Sequence, residues 1–321
     1  MLLSVQNLAT HFFLHEGVLK AVDDISLEIA EHETVALVGE SGCGKTIVAL
    51  SIIKLIPPPG RIVEGKVFFC NEDILSVHAE RLREIRAKEI GIVFQEPGAA
   101  LNPVYTIGHQ ISETLQLNRG LTTHEAEAMT IRLLGDVGIP EPERRAKAYP
   151  FELSGGMRQR AAIAMATSAP PRLLIADEPT TALDVTVQAE ILDLLRHLQE
   201  QNKMAILLIT HDLGVVAEMA ERVLVMYTGR LVETARTDAL FRLPKHPYTQ
   251  GLLDAVLRFG AGRSEPLQGI PGAVPDFLNL PSGCTFHPRC HIGDNFCKSE
   301  FPPLRVISAD RRCACYKVHG D

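Results

Sequence analysis

Three groups of residues have the types and spacing for chemistry. Gly39-Glu40-Ser41-Gly42-Cys43-Gly44-Lys45-Thr46 fits G-x-x-x-x-G-K-[ST], a pattern in which glycines let backbone N–H groups curl around phosphates. In such a loop Lys45 reaches the outer phosphates, Thr46 offers a hydroxyl to Mg2+, and the following helix points its positive end at the anion. Asp177-Glu178 closes the apolar run 173–176, which offers one carboxylate to Mg2+ and the next to a water molecule. An acidic pair read in isolation is an ordinary helix cap; the phosphate loop in the same chain favours the chemical reading. Cys284, Cys290, Cys297, Cys313 and Cys315 crowd the C-terminal stretch, where thiols form disulfides or bind metal according to the redox compartment.

Strands must end at these groups to present them. Residues 34–38, Thr-Val-Ala-Leu-Val, suit a buried strand, and the glycine loop follows at once. The pattern from 45 to 55 is helical and stops at Pro57-Pro58-Pro59-Gly60, because proline lacks the N–H and clashes with the preceding turn. Further strands are expected at 89–94, 172–177, 205–210 (leading to His211-Asp212) and 223–226. Helical periodicity runs through much of 107–170 and again through 187–201. Strands alternating with helices predict an α/β fold with a mostly parallel core sheet covered on both faces. Residues 260–305, rich in Gly, Pro and Cys, have little periodicity, which predicts a core-poor segment that needs a staple. The motifs occur once, so one nucleotide-binding domain is expected.

The 321 residues are 46% hydrophobic and 22% charged, a globular composition with room for one large domain and an appendage. No apolar run approaches the roughly 20 residues that span a bilayer. The start, Met1-Leu2-Leu3-Ser4-Val5-Gln6, lacks the features of a secretory signal. A cytoplasmic location is therefore expected, where thiols stay reduced and metal ligation is the better reading of the cysteines. A net charge of −7 argues against bulk nucleic-acid binding. The cysteine spacings match neither a zinc finger nor a bacterial ferredoxin. A 4Fe–4S cluster, an all-cysteine zinc site and free structural thiols all stay open on spacing alone.

Leu153-Ser154-Gly155-Gly156-Met157-Arg158-Gln159-Arg160 resembles the signature motif of ABC-type ATPases. Gln95 is similar to that family's Q-loop glutamine, Ala182-Leu183-Asp184 to its D-loop and His211 to its switch histidine, in the family's order across about residues 3–235. The resemblance implies a P-loop NTPase fold with a helical signature subdomain near 96–170. It also implies head-to-tail pairing, in which Ser154, Gly155, Gly156 and Gln159 act in trans on ATP bound by a second domain. Within one chain, Gly39, Ser41, Gly42, Cys43, Gly44, Lys45, Thr46 and Gln95 would bind nucleotide. Thr46, Gln95 and Asp177 would surround Mg2+, Glu178 would orient or deprotonate the water, His211 would contact the γ-phosphate and Asp184 would serve the D-loop. Phe12, with Phe13 as runner-up, is the expected adenine-stacking aromatic; ordinary strand packing is the alternative.

Phe94-Gln95-Glu96-Pro97, Leu101-Asn102-Pro103, the run 176–186 and His246-Pro247-Tyr248-Thr249 resemble the oligopeptide, dipeptide and nickel importer ATPases in particular. Ile270-Pro271-Gly272 and Gly283-Cys284-Thr285-Phe286-His287-Pro288-Arg289-Cys290 resemble their C-terminal extension, giving an ATPase domain at 1–243 and an extension at 244–321. This branch implies an ATP-hydrolysing subunit that powers import of di- or oligopeptides from the cytoplasmic face of the inner membrane. Its implied partners are a second, different ABC ATPase chain, two membrane permease subunits and a solute-binding protein, with no nucleic acid. The permease would dock near 96–150, with Gln95 linking that contact to the γ-phosphate. Nickel or another small solute is the alternative cargo. A soluble ABC protein outside transport is a further alternative, disfavoured by the lack of twin ATPase domains. The resemblance favours a 4Fe–4S cluster on Cys284, Cys290, Cys297 and Cys315, since the cysteine before an aromatic residue is the family's fourth ligand. Cys313 replaces the family's usual apolar residue and stays a candidate for that place.

Overall fold

The run at 34–38 is the strand Thr34–Val38, buried at every position, and the elements that present the motifs are arranged around strands of this kind. The computed structural model describes residues 1–257 and 269–318; parts of the extension, 258–268 and 319–321, lie outside the described residues. The chain divides into two compact units, one comprising 1–29, 34–75 and 210–321, the other 30–33 and 76–209.

The first unit contains an antiparallel sheet that the expectation of a mostly parallel fold did not include. Its strands lie in the order Gly17–Ile29, Leu3–Leu14, Gly60–Phe69, Glu72–Asp73. Leu3, Val5, Leu8, Val22, Ile25 and Val67 are buried along them. This is the alternation expected of strands with one face on a core. The unit also holds the strand Thr34–Val38, which pairs in parallel with Arg222–Tyr227. Antiparallel to the latter runs Arg230–Arg236, and the extension then adds Arg311–Cys313 and Arg305–Ser308 at the edge.

The extension is therefore less core-poor than its composition predicts. Phe286, 3% exposed, packs its ring on Tyr227 and Tyr248 at centroid distances of 5.2 and 5.4 Å. Val216, Val225, Leu240 and Leu253 belong to the same cluster. Burying one phenylalanine contributes about 1.5–3 kcal/mol, so the segment around it is held by shared core as well as by any staple. It falls in the same compact unit as the phosphate loop.

In the second unit the strands Ile90–Val93, Leu173–Asp177 and Ala205–Thr210 are parallel neighbours, as the alternating pattern predicts. Its helices include Ile107–Arg119, Thr123–Asp136, Gly155–Ala166 and Val185–Asn202. Local chemistry sets their ends. Gly120 takes the left-handed conformation that stops the first of them, and Thr122 with Glu125 forms a reciprocal capping box that starts the next.

Candidate functional site

The phosphate loop joins Thr34–Val38 to the helix Lys45–Ile52. Its glycines are dictated by contact. A Cβ on Gly39 would stand 2.3 Å from the Met226 carbonyl oxygen, and one on Gly44 2.2 Å from that of Ala21. Gly44 also has φ 105°, a conformation that side chains rarely adopt. Lys45 is 5% exposed, and its Nζ donates to the carbonyls of Gly39 at 2.9 Å and Glu40 at 3.1 Å. Ser41, Gly42 and Thr46 are exposed, with Thr46 in the first turn where a hydroxyl can meet a cation bound to phosphates. Cys43 is fully buried, and that burial pushes its thiol pKa up. It fills space beneath the loop.

Of the two candidate aromatics, Phe12 is half-buried and packs its ring on Gly60, where a Cβ would lie 2.7 Å from it. Phe13 is 45% exposed, with the Arg61 guanidinium 5.7 Å from its ring centroid. His211 is exposed immediately after Ala205–Thr210, and Asp212 behind it caps the helix Leu213–Met219 by accepting from the Gly214 and Val215 amides.

In the second unit Asp177 ends its strand at 2% exposure and Glu178 follows at 8%. Glu178 has φ 47°, a left-handed conformation that costs a non-glycine residue on the order of 1–3 kcal/mol and marks sites held by their surroundings. What holds it is visible. One carboxylate oxygen accepts from Gln95 Nε2 at 2.9 Å and from Thr181 Oγ1 at 2.8 Å, and the Glu178 amide donates to the Ile209 carbonyl at 2.8 Å. Gln95 and Glu178, 83 residues apart, thus meet directly.

Ser154 is exposed and caps Gly155–Ala166, accepting from the Met157 amide at 3.3 Å. Its hydroxyl and the first free amides share a helix N-terminus, a ready anion site. A Cβ on Gly156 would stand 2.7 Å from Val187 Cγ1, so this glycine lets the signature lie against the helix Val185–Asn202, whose cap is Asp184, accepting from the Val187 amide at 3.0 Å. Gln159 is 2% exposed, directed into the unit rather than to the surface where Ser154 stands.

Cys284, Cys290, Cys297 and Cys315 line one cavity, with His246, Phe286 and Tyr316 among its other walls. Burial pushes the Cys284 thiol up to about 11, and the neighbouring Cys290, Cys297 and Cys315 press the same way against a backbone hydrogen bond at Phe286. Cys313 is not in that wall: it pairs with Glu233 across the ladder and is fully buried, its thiol raised first by burial and then by that carboxylate. Among the described residues no three His, Cys, Asp or Glu side chains are arranged to hold a metal ion. The thiols share a cavity without closing on a single point.

Two residues that the sequence reading did not single out act on the phosphate loop. Arg289 and Tyr248, both in the extension, grip Glu40 through its carboxylate and its amide. The only sequence signal for them was their place inside the His246–Thr249 and 283–290 motifs.

Comparison with known proteins agrees with these features. Residues 22–181 match the family described as ABC transporter, and residues 232–297 match the oligopeptide/dipeptide transporter C-terminal region. A putative peptide import ATP-binding protein of Brucella melitensis is 48% identical, covering 98% of this chain and 97% of that protein. The dipeptide transport ATP-binding protein DppD of Escherichia coli is 44% identical, covering 98% and 96%. Among solved structures, a dimeric post-hydrolysis state of an ATP-binding cassette bound to ADP and Pi is 29% identical, with a TM-score of 0.67, over 73% of this chain and 98% of that one. The chain accordingly belongs to the ABC transporter family of ATP-hydrolysing subunits, in its oligopeptide/dipeptide branch.

Proposed function

We propose that this chain binds ATP with Mg2+ and hydrolyses it to drive import of di- or oligopeptides through a membrane transporter. The observation that carries the reading is kinship along nearly the whole chain, extension included, with a dipeptide transport ATP-binding protein. Gly39, Ser41, Gly42, Cys43, Gly44, Lys45 and Thr46 cradle the phosphates, with Phe12 or the more exposed Phe13 against the base. Asp177, Thr46 and Gln95 surround Mg2+. Glu178 orients or deprotonates the attacking water, a role supported by the two donors that fix its carboxylate, and His211 contacts the γ-phosphate. Hydrolysis then needs little beyond positioning and charge stabilisation.

Ser154 with the Gly155 and Gly156 amides acts in trans on the ATP of a second, different ATPase chain, and Asp184 supports that pairing. Two permease subunits and a solute-binding protein complete the assembly. Among the described residues no helix is long and apolar enough to cross a membrane. This chain attaches to the cytoplasmic face through the permeases. The ATPase domain extends over 1–243, with its helical part near 96–170, and the importer-type extension over 244–321.

The extension holds a 4Fe–4S cluster on Cys284, Cys290, Cys297 and Cys315. An all-sulfur donor set around one cavity supports this assignment. When bound, the cluster supplies a cross-link between segments distant in sequence; Cys313, beside Glu233, stays outside the ligand set. Assembling the chain with its permeases and binding protein in vesicles tests the whole reading. Dipeptide-loaded binding protein should stimulate ATP turnover and accumulate peptide inside. Stimulation by nickel or another solute with none by peptides would overturn it.

A further inference from the structure

Glu40 is the second residue of the phosphate loop, and all of its polar groups are engaged. Its carbonyl accepts from Lys45 Nζ at 3.1 Å and from the Cys43 amide at 3.3 Å. Its amide donates to the Tyr248 hydroxyl at 2.8 Å. Its carboxylate accepts from both terminal nitrogens of Arg289, at 2.7 and 3.0 Å. The last two partners belong to the extension, 208 and 249 residues away.

Neither partner is a casual surface contact. The Arg289 side chain is 4% exposed, its Nε donates to the Pro271 carbonyl at 2.9 Å, and a terminal nitrogen lies 3.4 Å from the Tyr227 hydroxyl. A forked guanidinium on a carboxylate fixes orientation as well as distance. Tyr248 is fully buried, its ring tilted on Tyr227 at 4.6 Å.

Both grips lead to the thiol-lined cavity. Arg289 immediately precedes Cys290, one wall of that cavity. The Tyr248 amide donates at 3.1 Å to Nδ1 of His246, another wall. Lys45 takes its position from the Gly39 and Glu40 carbonyls, Glu40 takes its position from Arg289 and Tyr248, and those two stand on residues lining the cavity.

We infer that Arg289 and Tyr248 are positioning residues of the phosphate loop, and that through them the packing of the cysteine cavity sets the affinity of the loop for nucleotide. This deepens the assignment of the loop as the ATP site and rests on it. The coupling is reciprocal by linkage, so nucleotide binding also steadies the cavity.

The experiment uses the full chain, with equilibrium binding of Mg-ATP measured beside global unfolding and amide exchange at residues 39–46. Wild type and Lys45→Ala establish that the loop is the site being read. Arg289→Gln and Tyr248→Phe should each weaken Mg-ATP by roughly tenfold, within the 5–150-fold range of site couplings, and speed exchange of the Glu40 amide. Arg289→Lys, which keeps the charge but not the fork, should recover part of the loss. Tyr248→Phe removes one oxygen atom and keeps the test available if the arginine variants fold poorly. Cys290→Ala, at the cavity wall, should weaken Mg-ATP in the wild-type background and add nothing in Arg289→Gln, a non-additivity expected of residues acting through one another. Unchanged affinity in folded Tyr248→Phe overturns the positioning role. An effect of Cys290→Ala that is undiminished without Arg289, or absent altogether, overturns the coupling.

Discussion

Replacing Glu178 by Gln separates chemistry from scaffold. The carboxylate oxygen that accepts from Gln95 Nε2 and Thr181 Oγ1 has a close counterpart in the glutamine carbonyl oxygen, which accepts the same two bonds in nearly the same volume. The strained φ of 47° is equally unfavourable for either residue, so it does not distinguish them. What disappears is the negative charge and the capacity to take a proton from water. Loss of a positioned general base lowers a rate by roughly 10²–10⁴-fold, or about 2.7–5.4 kcal/mol at 1.36 kcal/mol per decade. Single-turnover hydrolysis should fall by that factor while equilibrium binding of Mg-ATP and the urea midpoint stay at wild-type values. Hydrolysis within about threefold of wild type would sink the assignment of Glu178 as the water-activating group. Loss of Mg-ATP binding would show instead that the Glu178 charge itself contributes to the nucleotide site.

Gly156→Ala should destabilise the second unit by about 1–3 kcal/mol, the usual cost of overpacking, because the new Cβ lands 2.7 Å from Val187 Cγ1. Val187→Ala in the same chain should recover most of that loss in urea unfolding, and a Gly156→Ala chain as stable as wild type would contradict the contact. Under anaerobic purification Cys315→Ser should lose iron, acid-labile sulfide and visible absorption together, whereas Cys313→Ser should keep all three. Equal losses in both variants, or a colourless zinc-loaded wild type, would remove the proposed ligand set.

The phosphate loop and the acid-terminated strand were legible because their chemistry is local, whereas the signature was legible through its resemblance to a family motif. A loop that wraps phosphates needs consecutive amides, and a strand that presents an acid needs that acid as the next residue. Helix starts at Thr122 and Ser154 were written equally locally, in side chains that cap their own first turns. The antiparallel sheet was not legible, because Leu3–Leu14 pairs with Gly60–Phe69 across the intervening phosphate loop and helix, and alternation says which face is buried without naming the neighbour.

The extension misled for a related reason. A test of periodicity sees repeated apolar positions, and Phe286 is a single ring inserted into a cluster built by Tyr227 and Tyr248. The two candidate fourth thiols differ by two residues, yet Cys313 lies in a ladder opposite Glu233 while Cys315 stands past the end of its strand in the cavity wall. Motif spacing does not distinguish their surroundings, whereas the register of one short strand puts Cys313 in the ladder and Cys315 beyond it. The same register carries a functional consequence. Arg311–Cys313 pairs with Arg230–Arg236, whose antiparallel partner Arg222–Tyr227 passes beneath the phosphate loop at Met226. A substitution that disturbs the last strands of the extension therefore has a backbone route to Gly39 as well as the side-chain route through Arg289.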